Sequence, residues 1–337
     1  MFTALFMLLC ACASPAGPQP ANIPPEDEQA GREPEPSAIT ELVFSISRDA
    51  DRELVLAAEY FCRGFAEIMG GAVTARVEAV IAPDADLISG KAQAAFLNKK
   101  RQLNFNPALA ATATPFIYSS YPSFTIRANA RSTLNLLRGS MRSENGLIPL
   151  AAFYQGAQQM LTDFPAGAYQ NFEYSFFAVS EATDTGAVLE RLGVDIIEGD
   201  DDERMEFLLD ARVNGLEISL EALSQAELLE NLYLTLSYHS IVPVWLVVGA
   251  DFFDSLTPVQ QAGVWELCAV MINMIDDGQV AREKALLAEL AERDGLIVLG
   301  EFSGVRNRVF HTMPSLGEGA TPQQRLAYEL ADLMRRI

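Results

Sequence analysis

The sequence predicts an α/β fold built in two lobes. Three observations carry that prediction. The body opens with a strand–helix–strand pattern, short apolar strand patterns recur downstream with helices between them, and 337 residues are long for one core and short for three. Residues 41–47 alternate with Leu42, Phe44 and Ile46 on one side, the period-two mark of a strand. Residues 51–69 place Leu54, Ala58, Phe61, Cys62, Phe65 and Ile68 at helical spacing, and Gly70-Gly71 stops that helix. Residues 73–80 alternate again through Val73, Ala75, Val77 and Ala79, so the first sheet is predicted to be parallel. Further strands are predicted at 147–153, 174–180, 194–197, 215–220, 232–237, 244–248 and 296–299, with helices near 184–192 and 202–212. Thr257-Pro258-x-Gln260 and Thr321-Pro322-x-Gln324 each put Thr at an N-cap, Pro at the first helical position and Gln in a capping box. The first of these helices is expected to run to about Arg293 and to lie across both lobes, with Gly278 as a candidate bend.

Charge and composition exclude several functions. Lys and Arg number 24 against 45 Asp and Glu, a net charge of −21, which repels phosphate backbones; nucleic acid is not an expected partner. With 50% hydrophobic residues the chain can build a sizeable core. His239 and His311 are the only histidines, too few for most metal sites and triads, so neither metal nor cofactor is expected. There is no G-x-S-x-G, Walker loop, H-E-x-x-H or C-x-x-C, and the chain is not expected to be an enzyme. The run Asp200-Asp201-Asp202-Glu203 reads as a helix start, where acids favour the positive end of the dipole. Cys62 and Cys268 lie on apolar helix faces and read as buried free thiols, with a disulfide in an oxidising compartment as the alternative.

The first forty residues read as targeting. Residues 2–9 are an apolar run too short to span a bilayer, and Leu9-Cys10-Ala11-Cys12 resembles a bacterial lipobox, with Cys12 as the lipidated residue. Residues 1–12 are therefore expected to be a lipoprotein signal peptide and lipobox. Residues 13–38 hold seven prolines among acidic and small residues and are expected to be a disordered tether. Together they predict a lipid-anchored protein working outside the cytoplasm, in the periplasm or at a membrane face.

Four stretches carry a family resemblance. Tyr233 to Val248 reads YLTLSYHS, then VPVWLVV, and continues into FFDSLTP ending at Pro258. Arg212-Val213-Asn214-Gly215-Leu216-Glu217 follows Gly193 at a fixed interval, Gly146 to Gly156 reads GLIPLAAFYQG, and Thr114-Pro115-Phe116-Ile117-Tyr118 precedes them. In this order the motifs resemble the DctP-type solute-binding proteins of TRAP (tripartite ATP-independent periplasmic) transporters, over about residues 40–300. The resemblance implies a two-lobed, periplasmic-binding-protein-like fold of type II, with a hinge of crossing strands and a long helix spanning both lobes. It implies lobes of 39–150 with 240–285 and of 151–239 with 286–337. It implies capture of a small solute, organic-acid-like or neutral, for delivery to membrane permease subunits. A degenerate lipoprotein with a sensory or protein-interaction role is the alternative.

The resemblance also places a ligand site. It implies contacts from Phe116 and Tyr118 in the first lobe, Phe153 and Gln155 at a strand end, Asn214 and Glu217 within the Arg212–Glu217 motif, and His239 at the end of a crossing strand. Each of these has a plain packing or solvated-strand alternative. One position departs from the pattern: the family's carboxylate-binding arginine falls on Ala178, counted back from Gly193. Ile218 likewise replaces a polar contact. A desolvated carboxylate needs a paired cation. Three alternatives follow: another cation substitutes (Lys91, Arg127, Arg131 or Arg212), the ligand is not a carboxylate, or solute binding has been lost.

Overall fold

The computed structural model describes residues 39–97, 106–166, 172, 174–180, 185–228, 231–241, 243–300, and 305, 309, 325, 328–330, 332 and 333. The expected signal peptide and lipobox with Cys12, the Pro-rich tether and the Thr321-Pro322 cap lie outside these residues.

The described strands are β1 (Glu41–Ser47), β2 (Thr74–Val80), β3 (Ala94–Leu97), β4 (Leu147–Phe153), β5 (Gln158–Thr162), β6 (Phe176–Val179), β7 (Asp195–Glu198), β8 (Gly215–Ser219), β9 (Leu232–Ser240), β10 (Val244–Gly249) and β11 (Leu296–Leu299). The described helices are α1 (Arg52–Ile68), α2 (Pro83–Ile88), α3 (Pro107–Ala111), α4 (Tyr121–Ala128), α5 (Arg131–Asn145), α6 (Thr185–Glu190), α7 (Asp201–Leu209), α8 (Leu220–Gln225), α9 (Ala250–Asp254) and α10 (Pro258–Ala291).

The strands form two sheets, in the orders β2-β1-β3-β10-β4 and β11-β9-β5-β8-β6-β7. β1 pairs in parallel with β2 and β3, as the opening strand–helix–strand pattern predicts, and β10 then enters antiparallel between β3 and β4. Each sheet is covered on both faces, which explains why its strands are apolar on both sides. On the first sheet Phe44, Phe96 and Leu246 pack against α1 and α10, while Ala95, Leu97, Trp245 and Val247 pack against α4 and α5. On the second, Met160, Phe177 and Val179 face α6, and Leu161, Ala178, Leu216 and Ile218 face α7 and α8.

Among the described residues, three connections join the sheets. Tyr154–Ala157 carries the chain from β4 to β5, residues 241–243 carry it back from β9 to β10, and α10 leads to β11. The Thr257 capping box forms as predicted: its hydroxyl accepts from the Gln260 N–H at 3.4 Å, and Gln260 accepts from the Thr257 N–H at 2.8 Å. α10 has 34 residues, about 51 Å at 1.5 Å per residue, and packs against α1 and β4 at one end and α8 and β11 at the other. It runs unbroken through Gly278, so the helix is not split there. The acidic run is the start of α7: Asp200 accepts from the N–H groups of Asp202 and Glu203, and Glu203 closes the box.

Cys62 and Cys268 are both buried and free. Burial pushes each thiol up to about 12. At pH 8 the thiolate of either is then scarcer by roughly a thousandfold than in an exposed cysteine. Peptide mapping after maleimide treatment is expected to find both unlabelled in native protein and fully labelled in denaturant. Rapid native labelling of either would contradict the packing of α1 on α10.

Candidate functional site

The segment Tyr154–Ala157 is where the first sheet hands the chain to the second, and it is held by two acids of α10. Asp276 and Glu283 are seven residues apart, two turns of helix, and therefore share a face. Asp276 accepts from the Tyr154 N–H at 2.9 Å and from the Thr125 hydroxyl at 2.8 Å. Glu283 accepts from the Tyr154 hydroxyl at 2.8 Å and from the Ala157 N–H at 3.2 Å. Burial raises both carboxyls, Asp276 to about 6, while their hydrogen bonds oppose the shift. Burial and the Glu283 charge push the Tyr154 hydroxyl up as well. Gly156 fits here because its φ is +92° and because a Cβ would meet Gln279 Nε2 at 3.1 Å and Glu283 at 3.3 Å.

A cleft of about 290 Å³ opens beside this segment. Its lining comes from both sides: Ser47, Phe96 and Val244 from the first sheet with Asp49, Asp51 and Leu54 from the β1–α1 turn and α1, Gln158, Ser219 and Ser240 from the second sheet, and Gln155, Gly156 and Ala157 from the crossing. Gln158 stands between Ser219 and Ser240 on one rung of the second sheet, paired with β8 on one side and β9 on the other. The β5–β9 ladder shifts register just after that rung, and Tyr238, at φ +46°, donates its N–H to Gln159 Oε1 at 3.0 Å. The bulge widens β9 there and delivers Ser240 to the cleft.

Next to the rung lies a buried polar cluster. Glu217 accepts from His239 Nε2 at 3.0 Å and from the Ser180 N–H, and His239 Nδ1 lies 2.7 Å from the Ser237 hydroxyl. Phe116 donates its N–H to the His239 carbonyl, and the two rings are 5.6 Å apart. Phe116 has φ +69°, an unusual conformation for a non-glycine residue. Arg204, almost fully buried, donates to the Glu217 carbonyl at 3.1 Å and the Gly199 carbonyl at 2.8 Å, and also pairs with Asp201. Glu217 and Ser219 share a face of β8, so the cluster and the rung are continuous.

Of the residues the sequence singles out, the structure brings Phe116, Glu217 and His239 into this one cluster and places Gln155 on the cleft lining. The others lie apart from the lining. Tyr118 is buried beneath α4 with its hydroxyl on the Thr112 carbonyl at 2.8 Å. Phe153 is fully buried, edge-on to Phe96, which itself reaches the cleft. Asn214 links the end of β5 to the start of β6, accepting from the Phe176 N–H and donating to Asp163. Ala178 packs with Leu161, Leu216 and Ile218, on the face of the sheet opposite Glu217, because side chains alternate along a strand.

None of the four candidate cations lines the cleft. Lys91 pairs with Asp86 at 3.6 Å, Arg127 donates to the Ile117 carbonyl, Arg131 begins α5, and Arg212 stacks on the Phe207 ring. The lining residues Ser47, Asp49, Asp51, Gln158, Ser219 and Ser240 were not singled out in sequence. The available signal is positional: Asp49 and Asp51 occupy the turn from β1 into α1, the end of a parallel strand where α/β folds place ligands.

The fold and the sequence both match known proteins. The family model DctP, described as "bacterial extracellular solute-binding protein, family 7", matches residues 44–305. No curated protein matches the chain. Among solved structures, a TRAP periplasmic solute-binding protein from Rhodobacter sphaeroides, in an open form without ligand, is 13% identical with a TM-score of 0.72, covering 88% of this chain and 99% of that one. One from Ochrobactrum anthropi is 16% identical with a TM-score of 0.70, covering 88% and 95%. One from Shewanella oneidensis with bound succinate is 13% identical with a TM-score of 0.60, covering 89% and 99%.

Proposed function

Because the chain belongs to bacterial extracellular solute-binding protein family 7, we propose that it captures a small solute in the cleft between its two sheets and delivers it to the permease subunits of a TRAP-type transporter. Solute binding outside the cytoplasm is the role of the family. The observation that carries the reading for this chain is the cleft itself. It is lined from both sheets, lies at the crossing segments, and holds buried polar atoms of Gln158 and Ser240 with no hydrogen-bond partner among the described residues. Ligand sites of hinged α/β proteins occupy such clefts, and a ligand drives closure only by touching both sides better when they close. The solved structures with bound succinate, L-malate or β-D-galacturonate support a small hydrophilic solute as the class of cargo.

In this reading the lobes are 39–150 with 240–285 and 151–239 with 286–337. The lobes turn about Tyr154–Ala157 and residues 241–243, while α10 carries the load between them. Residues 1–12 direct export, Cys12 takes the lipid, and residues 13–38 tether the body to the membrane face. The lipobox resemblance and the seven prolines support this part.

Small-angle scattering tests the function. A solute found by thermal-shift screening is expected to raise stability, by about 2.7 kcal/mol at 100 times its Kd, and to reduce the radius of gyration at saturation. A stabilising solute that leaves the scattering profile unchanged would contradict capture by closure.

A further inference from the structure

α10 carries two adjacent charged residues with different duties. Glu283 holds the crossing segment Tyr154–Ala157. Its neighbour Arg282 meets the first turns of two other helices, α1 and α8. α1 follows β1 and α8 follows β8, so each of them starts where a strand of its own sheet ends at the cleft. The two starts are built alike. The N-caps are Asp51 and Ser219, both on the cleft lining, and each is followed two residues later by an acid, Glu53 in α1 and Glu221 in α8.

Arg282 divides its guanidinium between these acids. Nη2 lies 2.8 Å from Glu53 Oε1, and Nη1 lies 4.0 Å from Glu221 Oε2. The bond to Glu53 raises the guanidinium against the effect of burial, and the charges of Glu53, Glu221 and Asp51 add to the rise. With lobes of 39–150 with 240–285 and of 151–239 with 286–337, the Glu53 pair stays within the first lobe. Glu221 reaches Arg282 from the second. Closing the cleft brings Glu221 toward Glu53 and Asp51, three acids in a chain of net charge −21, and like charges repel. A guanidinium, with five donors in a planar fork, can face acids on two sides at once.

We propose that Arg282 is a positioning residue for solute capture, a clasp between the lobes that holds Glu53 beside Asp51 on the first, receives Glu221 from the second, and lets the cleft narrow without setting those acids against one another. The proposal rests on the reading of the two sheets as hinged lobes and names a residue that sets their spacing.

Small-angle scattering on the full chain without solute tests it, at about 0.02 M and about 1 M NaCl. At low salt Arg282→Met should shift the ratio of open to closed forms about two- to fivefold toward open, the range of a partly exposed ion pair, and so enlarge the radius of gyration relative to the parent. In Arg282→Met/Glu221→Gln the repulsion across the cleft is gone, and the radius should return to that of the parent. Arg282→Lys keeps the charge and should scatter as the parent does. These differences should vanish at high salt, where the Debye length falls to about 3 Å. Thermal melts confirm that each variant is folded, and Arg282→Gln, a polar replacement, takes the place of Arg282→Met if the latter is not. Equal radii for the parent and the uncharged variant at low salt would overturn the clasp. So would an enlarged variant that neither Glu221→Gln nor salt restores, since that pattern belongs to lost packing of the arginine stem. Either result, with a solute that still shrinks the parent, refutes the clasp alone. A stabilising solute that leaves the parent unchanged as well refutes the hinge on which both readings depend.

Discussion

Glu217→Ala is expected to destabilise the protein by about 3 kcal/mol, because it leaves the Ser180 N–H and the His239 ring without their acceptor in a site closed to water. Glu217→Gln should cost far less, since the amide keeps one acceptor and adds a donor. The same residue connects three elements: it sits on β8, receives β9 through His239, and is held by Arg204 of α7 on its backbone carbonyl. A double-mutant cycle of Glu217→Ala with His239→Ala, read by urea denaturation, should show coupling well above the few tenths of a kcal/mol seen for distant sites. Additive losses would show that the two side chains do not depend on each other. If the proposed cleft is correct, solute affinity should fall in Glu217→Ala as well, because Ser219 and Ser240 are neighbours of the pair along β8 and β9.

The second large effect is one of pH. Asp276 titrates at about 6 in the folded chain, above the ordinary 3.8 of the unfolded one, because burial disfavours its charge. The sign follows from which state holds the proton more tightly. The folded state does, so this carboxyl contributes stability in full below pH 4 and loses it as pH rises through 6. The loss reaches about 3 kcal/mol in all once pH is well above 6. Glu283 is raised for the same reason and adds in the same direction. Asp276→Asn can retain both hydrogen bonds, accepting from the Tyr154 N–H and donating to the Thr125 hydroxyl. It is therefore expected to be more stable than the parent at pH 7.5 by about 2 kcal/mol and equal to it at pH 4. Denaturation curves at pH 4, 5, 6 and 7.5 measure this difference directly; a constant offset across that range would show that the Asp276 charge is not what the fold works against. Other acids titrate oppositely, such as Glu53, which its bond to Arg282 lowers, so the comparison between the two proteins is the informative quantity.

Much of the scaffold is legible in the sequence. α1 is amphipathic and announces its helical period, β1, β4, β8 and β10 read as short apolar runs, and the Thr257 cap fixes the start of α10. The region 83–145 is not legible in the same way. β3 is Ala94-Ala95-Phe96-Leu97, four buried residues with no alternation to read, since both faces of its sheet are covered. β5 is hidden for the opposite reason. Its two glutamines suggest a surface segment, yet it is the strand between β8 and β9, and Gln159 faces inward to hold the β9 bulge. The site shows the same division. Glu217, His239 and Phe116 are recoverable from spacing along a recognisable pattern. The cleft lining is not, because Asp49, Gln158, Ser219 and Ser240 are far apart in sequence and meet only through strand register. Counting along the chain also locates Ala178 without revealing which side of its strand it faces.

The late insertion of β10 has a consequence for how the molecule is made. β10 lies between β3 and β4, so the first sheet stays split until residue 249 has been synthesised, although four of its five strands are finished by residue 153. The second sheet gains its outer strand only with residues 296–299. A growing chain can thus assemble β1, α1 and β2 early, while the pairings that close both halves wait for nearly the whole polypeptide. Long-range pairings of this kind close slowly. The nascent protein is therefore expected to remain unfinished, with the edges of β3 and β4 open, through most of its synthesis.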